Sequence, residues 1–145
     1  PIREASGARV HVISGHYADA EGVKPRHIPA TILDVELEAG ASVTLPTPVG
    51  ETAFVFTIEG GAKVGEQTVS PKTAALLSDG DAVTLAAPRD AGARVILFSG
   101  KPLHEPIAWG GPIVMNTRLE LAQAFEELQL GTFIRSSATG AEKRA

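Results

Sequence analysis

From Ala8 to Phe98 the chain is a run of short alternating segments cut by glycine, proline and aspartate, and this cadence restricts the fold before any motif is considered. Ala8–Ser14 sets Val10 and Val12 against Arg9 and His11, the two-residue period of a half-buried strand. In Thr31–Glu38, Leu33, Val35 and Leu37 point one way and Asp34, Glu36 and Glu38 the other. Thr52–Glu59 (TAFVFTIE) is apolar on both faces, which predicts a central strand covered on each side. Gly60-Gly61 is a hairpin signal leading into Ala62–Val64. Ser42–Leu45, Gln67–Val69, Thr73–Leu77, Ala82–Ala86 and Arg94–Phe98 are further short strands, and Gly15–Pro29 is a charged loop. Breaks such as Pro46-Thr47-Pro48-Val49-Gly50 and Ser78-Asp79-Gly80-Asp81 recur too often for helices to alternate with the strands. The expectation is an all-β sandwich or barrel rather than βαβ units.

The ending departs from this rhythm. Lys101–Thr117 holds three prolines, adjacent Gly110 and Gly111, and the only Trp (Trp109) and Met (Met115) of the chain. Proline lacks a ladder donor and glycine lacks a side chain to pack, so neither a helix nor a central strand is expected. The segment reads as an ordered loop with Ile107, Trp109, Ile113 and Val114 pinned onto a core. Asn116 or Thr117 then caps a helix over Arg118–Leu130, with Glu120 completing a capping box and Gly131 at a left-handed C-cap. Leu121, Phe125 and Leu128 form its apolar stripe, leaving Glu120, Gln123, Glu126 and Glu127 for solvent. That stripe is expected to cover a sheet face of its own domain, the alternative being a neighbouring domain.

One domain is expected over residues 1–135, with 136–145 a small polar, disordered tail. The absence of cysteine removes disulfides, thiolate catalysis and sulfur-based zinc sites, and fits a cytoplasmic compartment. A net charge of −4 without a basic stripe argues against direct binding of nucleic acid. No apolar run is long enough to span a membrane, and Pro1-Ile2-Arg3-Glu4 does not open like a signal peptide. A start at Pro1 fits removal of an initiator Met or a piece of a longer chain.

Few residues carry chemical promise. His11 lies mid-strand facing solvent, His16 and His27 lie in or beside the first long loop, and His104 is expected to be a hydrogen-bonded structural residue. A rim metal site from His16, His27 and Asp19 or Glu21 is the weaker reading of those histidines. Ser14-Gly15-His16 lacks the context of a nucleophile elbow, and no glycine-rich phosphate loop opens a helix. The candidate ligand pocket comprises His27, Glu51, Phe54 and Phe56, with Thr57 a further polar group. Phe54 and Phe56 are read as lining the interior or as plain core.

PLHEPIAWGGPIVMNT, followed by a helix containing QAFEELQLGTF, resembles the C-terminal domain of the pirin family, as do TAFVFTIEG at Thr52–Gly60 and ARVHVISG at Ala8–Gly15. The resemblance covers residues 8–134 and implies a cupin-type double-stranded β-helix, or jelly roll, with one C-terminal amphipathic helix. The first cupin motif places a His-x-His pair and a glutamate between two glycines. Laid on this chain, the glycines fall at Gly40 and Gly60, but the ligand positions fall at Pro46, Pro48 and Ala53. The second motif's histidine falls at Ala91, and no histidine occurs between His27 and His104. The resemblance therefore implies no metal, no cofactor and no catalytic residue in this chain. Iron belongs to an N-terminal cupin, along with quercetin 2,3-dioxygenase-like activity or a redox-responsive regulatory role through other proteins. The implied partner is that cupin, or a second copy of this chain. The alternative is a stand-alone cupin that binds or converts a small molecule in its interior.

Overall fold

A computed structural model of the chain describes residues 1–134; the expected disordered tail at 136–145 lies outside the described residues. These residues fall into two compact units, one spanning Pro1–Pro102 and one beginning at Leu103.

The first unit is two antiparallel sheets. The larger contains β1 (Ile2–Ala5), β2 (Ala8–Ser14), β5 (Ala30–Leu37), β12 (Ala93–Gly100), β7 (Thr52–Glu59) and β10 (Ala74–Leu76), adjacent in that order. The smaller has the order β6 (Ser42–Pro46), β11 (Ala82–Ala86), β8 (Ala62–Val64) and β9 (Gln67–Val69). A two-stranded hairpin, β3 (His16–Tyr17) with β4 (Ala20–Glu21), lies within the expected first loop. Crossovers between non-sequential neighbours make this a jelly roll, the form implied by the family resemblance and one kind of the all-β sandwich or barrel expected from the strand cadence. The core forms where the alternation predicts. Val10, Val35, Val95 and Thr57 are cross-strand partners on one row, and Val12, Leu33, Leu97 and Val55 on the next. Val43, Leu45, Val64, Val69, Val83 and Leu85 meet this cluster from the smaller sheet.

On the outer face of the larger sheet the pairing changes character along the strands. Asp34 is buried and receives two hydrogen bonds from Arg94, Nε to Oδ1 at 3.0 Å and an Nη to Oδ2 at 2.6 Å. Further along, Phe98 pairs with Phe54 across the strands, with ring centroids 4.7 Å apart and planes at 12°. Coverage of β7 on two sides is therefore incomplete. Ala53, Val55 and Thr57 are buried, whereas Phe54, Phe56 and Ile58 are half-buried.

The second unit differs from expectation. The segment read as a loop contains a hairpin, β13 (Ala108–Gly110) with β14 (Ile113–Met115). Glycine and proline occupy its turn rather than interrupting a ladder. Of the four residues expected to be pinned, only Ile113 is buried; Ile107, Trp109 and Val114 are 78%, 76% and 59% exposed. Trp109 and Val114 are cross-strand partners on the same open face. Helix α1 (Arg118–Leu130) begins as predicted. Thr117 Oγ1 accepts from Glu120 N at 3.2 Å, Glu120 Oε2 accepts from Thr117 N at 2.8 Å, and Gly131 closes the helix at φ 71°. The helix packs on the hairpin at Gly110, where an added Cβ would lie 3.0 Å from Phe125 and 3.2 Å from Leu121. Only Ala124 is fully buried, and Phe125, Leu128 and Leu119 remain exposed. Within this unit the stripe meets the hairpin through Leu121 and Phe125 at Gly110, and Phe125 and Leu128 keep 39% and 46% of their surface exposed. Among the described residues no helix is long and apolar enough to cross a membrane.

Candidate functional site: a cavity at one end of the larger sheet

β5 and β7 begin at the end of the larger sheet where β2 and β12 finish, and a cavity of about 460 Å³ opens there. Three prolines form much of its wall (Pro25, Pro29 and Pro48), with Val23 and Ala30. Proline's locked φ makes such walls stiff without regular hydrogen bonding. Ser14 anchors the adjoining loop by sharing its one hydroxyl proton between the carbonyls of Ala30 (2.7 Å) and Val23 (3.1 Å), the shorter contact being the stronger. This buried hydroxyl is a staple of the loop. The polar lining is His16, Glu21, Lys24, Thr31 and Glu51. Glu21 and Lys24 form an ion pair at 3.2 Å.

Glu51 stands immediately before β7. Its Oε2 accepts a hydrogen bond of 2.8 Å from Ser99 Oγ, and Ser99 continues the inward series Val95, Leu97, Ser99 of β12. A half-buried carboxylate is thereby fixed at the mouth of the space between the sheets. Ser99 was not legible as its partner, because the predicted strand stopped at Phe98; extending the alternation by one residue identifies it. The other candidates are not brought together here. His27 is exposed and does not line the cavity. Phe54 and Phe56 neither line the interior nor join the core: they occupy the outer face, opposite Ala53, Val55 and Thr57. Thr57 is fully buried and serves the fold. Its Oγ1 donates to Ser70 O at 2.6 Å and accepts from Thr73 N at 3.1 Å.

The histidines can be placed individually. His11 is exposed on β2. His16 pairs with Glu21 across the β3–β4 hairpin, and both line the cavity. His104 is not the hydrogen-bonded residue expected: it is exposed, at φ 53°, with no side-chain hydrogen bond among the described residues. No three His, Asp or Glu side chains among the described residues converge where they could hold a metal ion. At the positions where a cupin would present its first three ligands, Pro46 and Pro48 are exposed and Ala53 is buried beside Ser99. None of these side chains has a donor atom, so this site does not fit the iron that the fold implies.

Comparison with known proteins agrees with this architecture. Mouse Pirin is 38% identical over 131 residues, covering 86% of this chain and 44% of that protein. The pirin-like protein of Caulobacter vibrioides is 37% identical over 129 residues, covering 88% of this chain and 46% of its own length. A crystal structure of quercetin 2,3-dioxygenase from Acinetobacter baumannii matches with a TM-score of 0.81 at 34% identity, covering 91% of this chain and 47% of that one. The chain thus spans about half the length of these relatives. The family model for the pirin C-terminal cupin domain matches residues 32–134, a stretch that includes most of the jelly roll, the hairpin and the helix. By these matches the chain belongs to the pirin C-terminal cupin domain family.

Proposed function

We propose that this chain is a metal-free partner module, the C-terminal cupin of a pirin-like protein that packs against an iron-binding N-terminal cupin. The observation that carries the reading is the uncovered apolar surface of the hairpin–helix unit. Leu103, Ile107, Trp109, Val114, Leu119 and Leu130 are all exposed within one compact stretch. Surfaces of this kind are rarely left open on a free-standing domain and mark protein interfaces. A second cupin is the occupant favoured by length, since each matched relative carries about as much chain again. In such an assembly the chemistry, whether quercetin 2,3-dioxygenase-like oxidation or a redox-responsive regulatory role, belongs to the metal-bearing half. This half supplies packing area and stabilises that one. Without its partner, the chain is expected to bury the same surface against a second copy.

The test is reconstitution. The full chain is mixed with a separately produced iron-loaded N-terminal cupin from a pirin relative and followed by size-exclusion chromatography with light scattering. A one-to-one complex, with a blue shift of Trp109 fluorescence, is the expected result. Two non-interacting species with unchanged Trp109 emission would overturn the reading.

A further inference from the structure

We propose that the cavity at the Glu51 end of the larger sheet is a binding site for a small organic monocation, an ammonium group on a compact apolar body. This rests on the cavity alone and is independent of the partner reading. A volume of about 460 Å³ is within the range of small-molecule sites. The walls contributed by Val23, Pro25, Pro29 and Pro48 suit an apolar ring or branched chain. The charges that face the space are three: Glu21, Lys24 and Glu51, with His16 beside them. Glu21 and Lys24 neutralise each other at 3.2 Å. What remains is the single negative charge of Glu51, which lines the cavity and whose Oε2 is held by Ser99, while Oε1 has no hydrogen-bond partner among the described residues. A carboxylate fixed in this way is pre-organised, so a cation meets it without the cost of ordering a free side chain. An anion would meet Glu51 unpaired, which sets the sign of the preference.

Three probes of one shape decide the matter: benzylamine, benzyl alcohol and benzoate, titrated into the full isotope-labelled chain and followed by amide chemical shifts. Benzylamine is expected to bind about tenfold more tightly than benzyl alcohol, as for one ion pair in a partly shielded site, with no saturation by benzoate. The shifted amides are expected at Gly15, Thr31 and Glu51. Glu51→Gln retains an acceptor for Ser99 and should keep the fold, checked by its thermal melt, while the preference of benzylamine over benzyl alcohol disappears. Ser99→Ala, which frees the carboxylate without removing its charge, is expected to weaken benzylamine about threefold. Equal binding of benzoate and benzylamine, shifts clustered away from the cavity, or an unaltered preference in a folded Glu51→Gln chain would each overturn the proposal.

Discussion

Arg94 and Asp34 form a two-pronged ion pair on the outer face of the larger sheet, with hydrogen bonds of 3.0 and 2.6 Å between neighbouring strands β12 and β5. These hydrogen bonds, and then the charge of Asp34 itself, hold the guanidinium protonated more firmly than in an ordinary arginine. A group whose proton affinity rises on folding contributes stability below its unfolded titration range and loses it only above. For an arginine that range lies in strong alkali. Arg94→Ala is therefore expected to lower the melting temperature by an amount that stays constant from neutral to weakly alkaline pH. It should exceed the effect of Lys63→Ala, whose partner Glu66 is fully exposed. Thermal melts of both variants across that pH interval check this.

Thr57 links β7 to the 70–73 turn through a donated and an accepted hydrogen bond. Thr57→Val keeps the shape but removes the hydroxyl that joins the buried Thr57 to the Ser70 carbonyl and the Thr73 amide, at an expected cost of about 0.5–1.5 kcal/mol in urea unfolding. Thr57→Ser is expected to retain most of the stability.

Gly60 ends β7 at φ 64°, and a Cβ built there would lie 2.4 Å from the Gly92 carbonyl oxygen. Left-handed strain and a backbone clash act together, so Gly60→Ala is expected to destabilise by about 1–3 kcal/mol or more. Gly50, at φ 83° with nothing within 4 Å, serves as the control. Gly50→Ala should cost less in the same denaturation series.

The two-residue period of the sequence was enough to assign Val10, Val12, Leu33, Val35 and Leu37 to the core, because a half-buried strand cannot shift its apolar side without reversing every residue. It could not say what covers a second face. Phe54 and Phe56 are apolar in sequence yet half-buried on the outer side, and Leu121, Phe125 and Leu128 make a stripe that the short hairpin only partly meets. Coverage is decided by distant chain, which local periodicity does not contain. The same limit applies to the candidate site. Glu51 could be read as a residue at the mouth from its place before β7, but its partner Ser99 is 48 positions away. The three cavity prolines, which look like simple loop punctuation, converge only in the fold.

Exposed aromatic and aliphatic residues of the hairpin–helix unit are expected to govern solution behaviour. Leu119→Ser replaces a residue 78% exposed and should change unfolding stability by no more than about 0.5 kcal/mol. Trp109→Ser also removes the Nε1 hydrogen bond to Gly111 O at 2.6 Å and the pairing with Val114, at an expected cost of about 0.5–1.5 kcal/mol. Both are nevertheless expected to reduce association, and urea unfolding paired with light scattering separates the two effects.

The most direct test of the partner-module account is light scattering of the unmodified chain over a wide concentration series, repeated with Trp109→Ser and Leu119→Ser combined. The account predicts a dimer or larger species that grows with concentration and reverts to monomer in the double variant. A strict monomer at every concentration would contradict it.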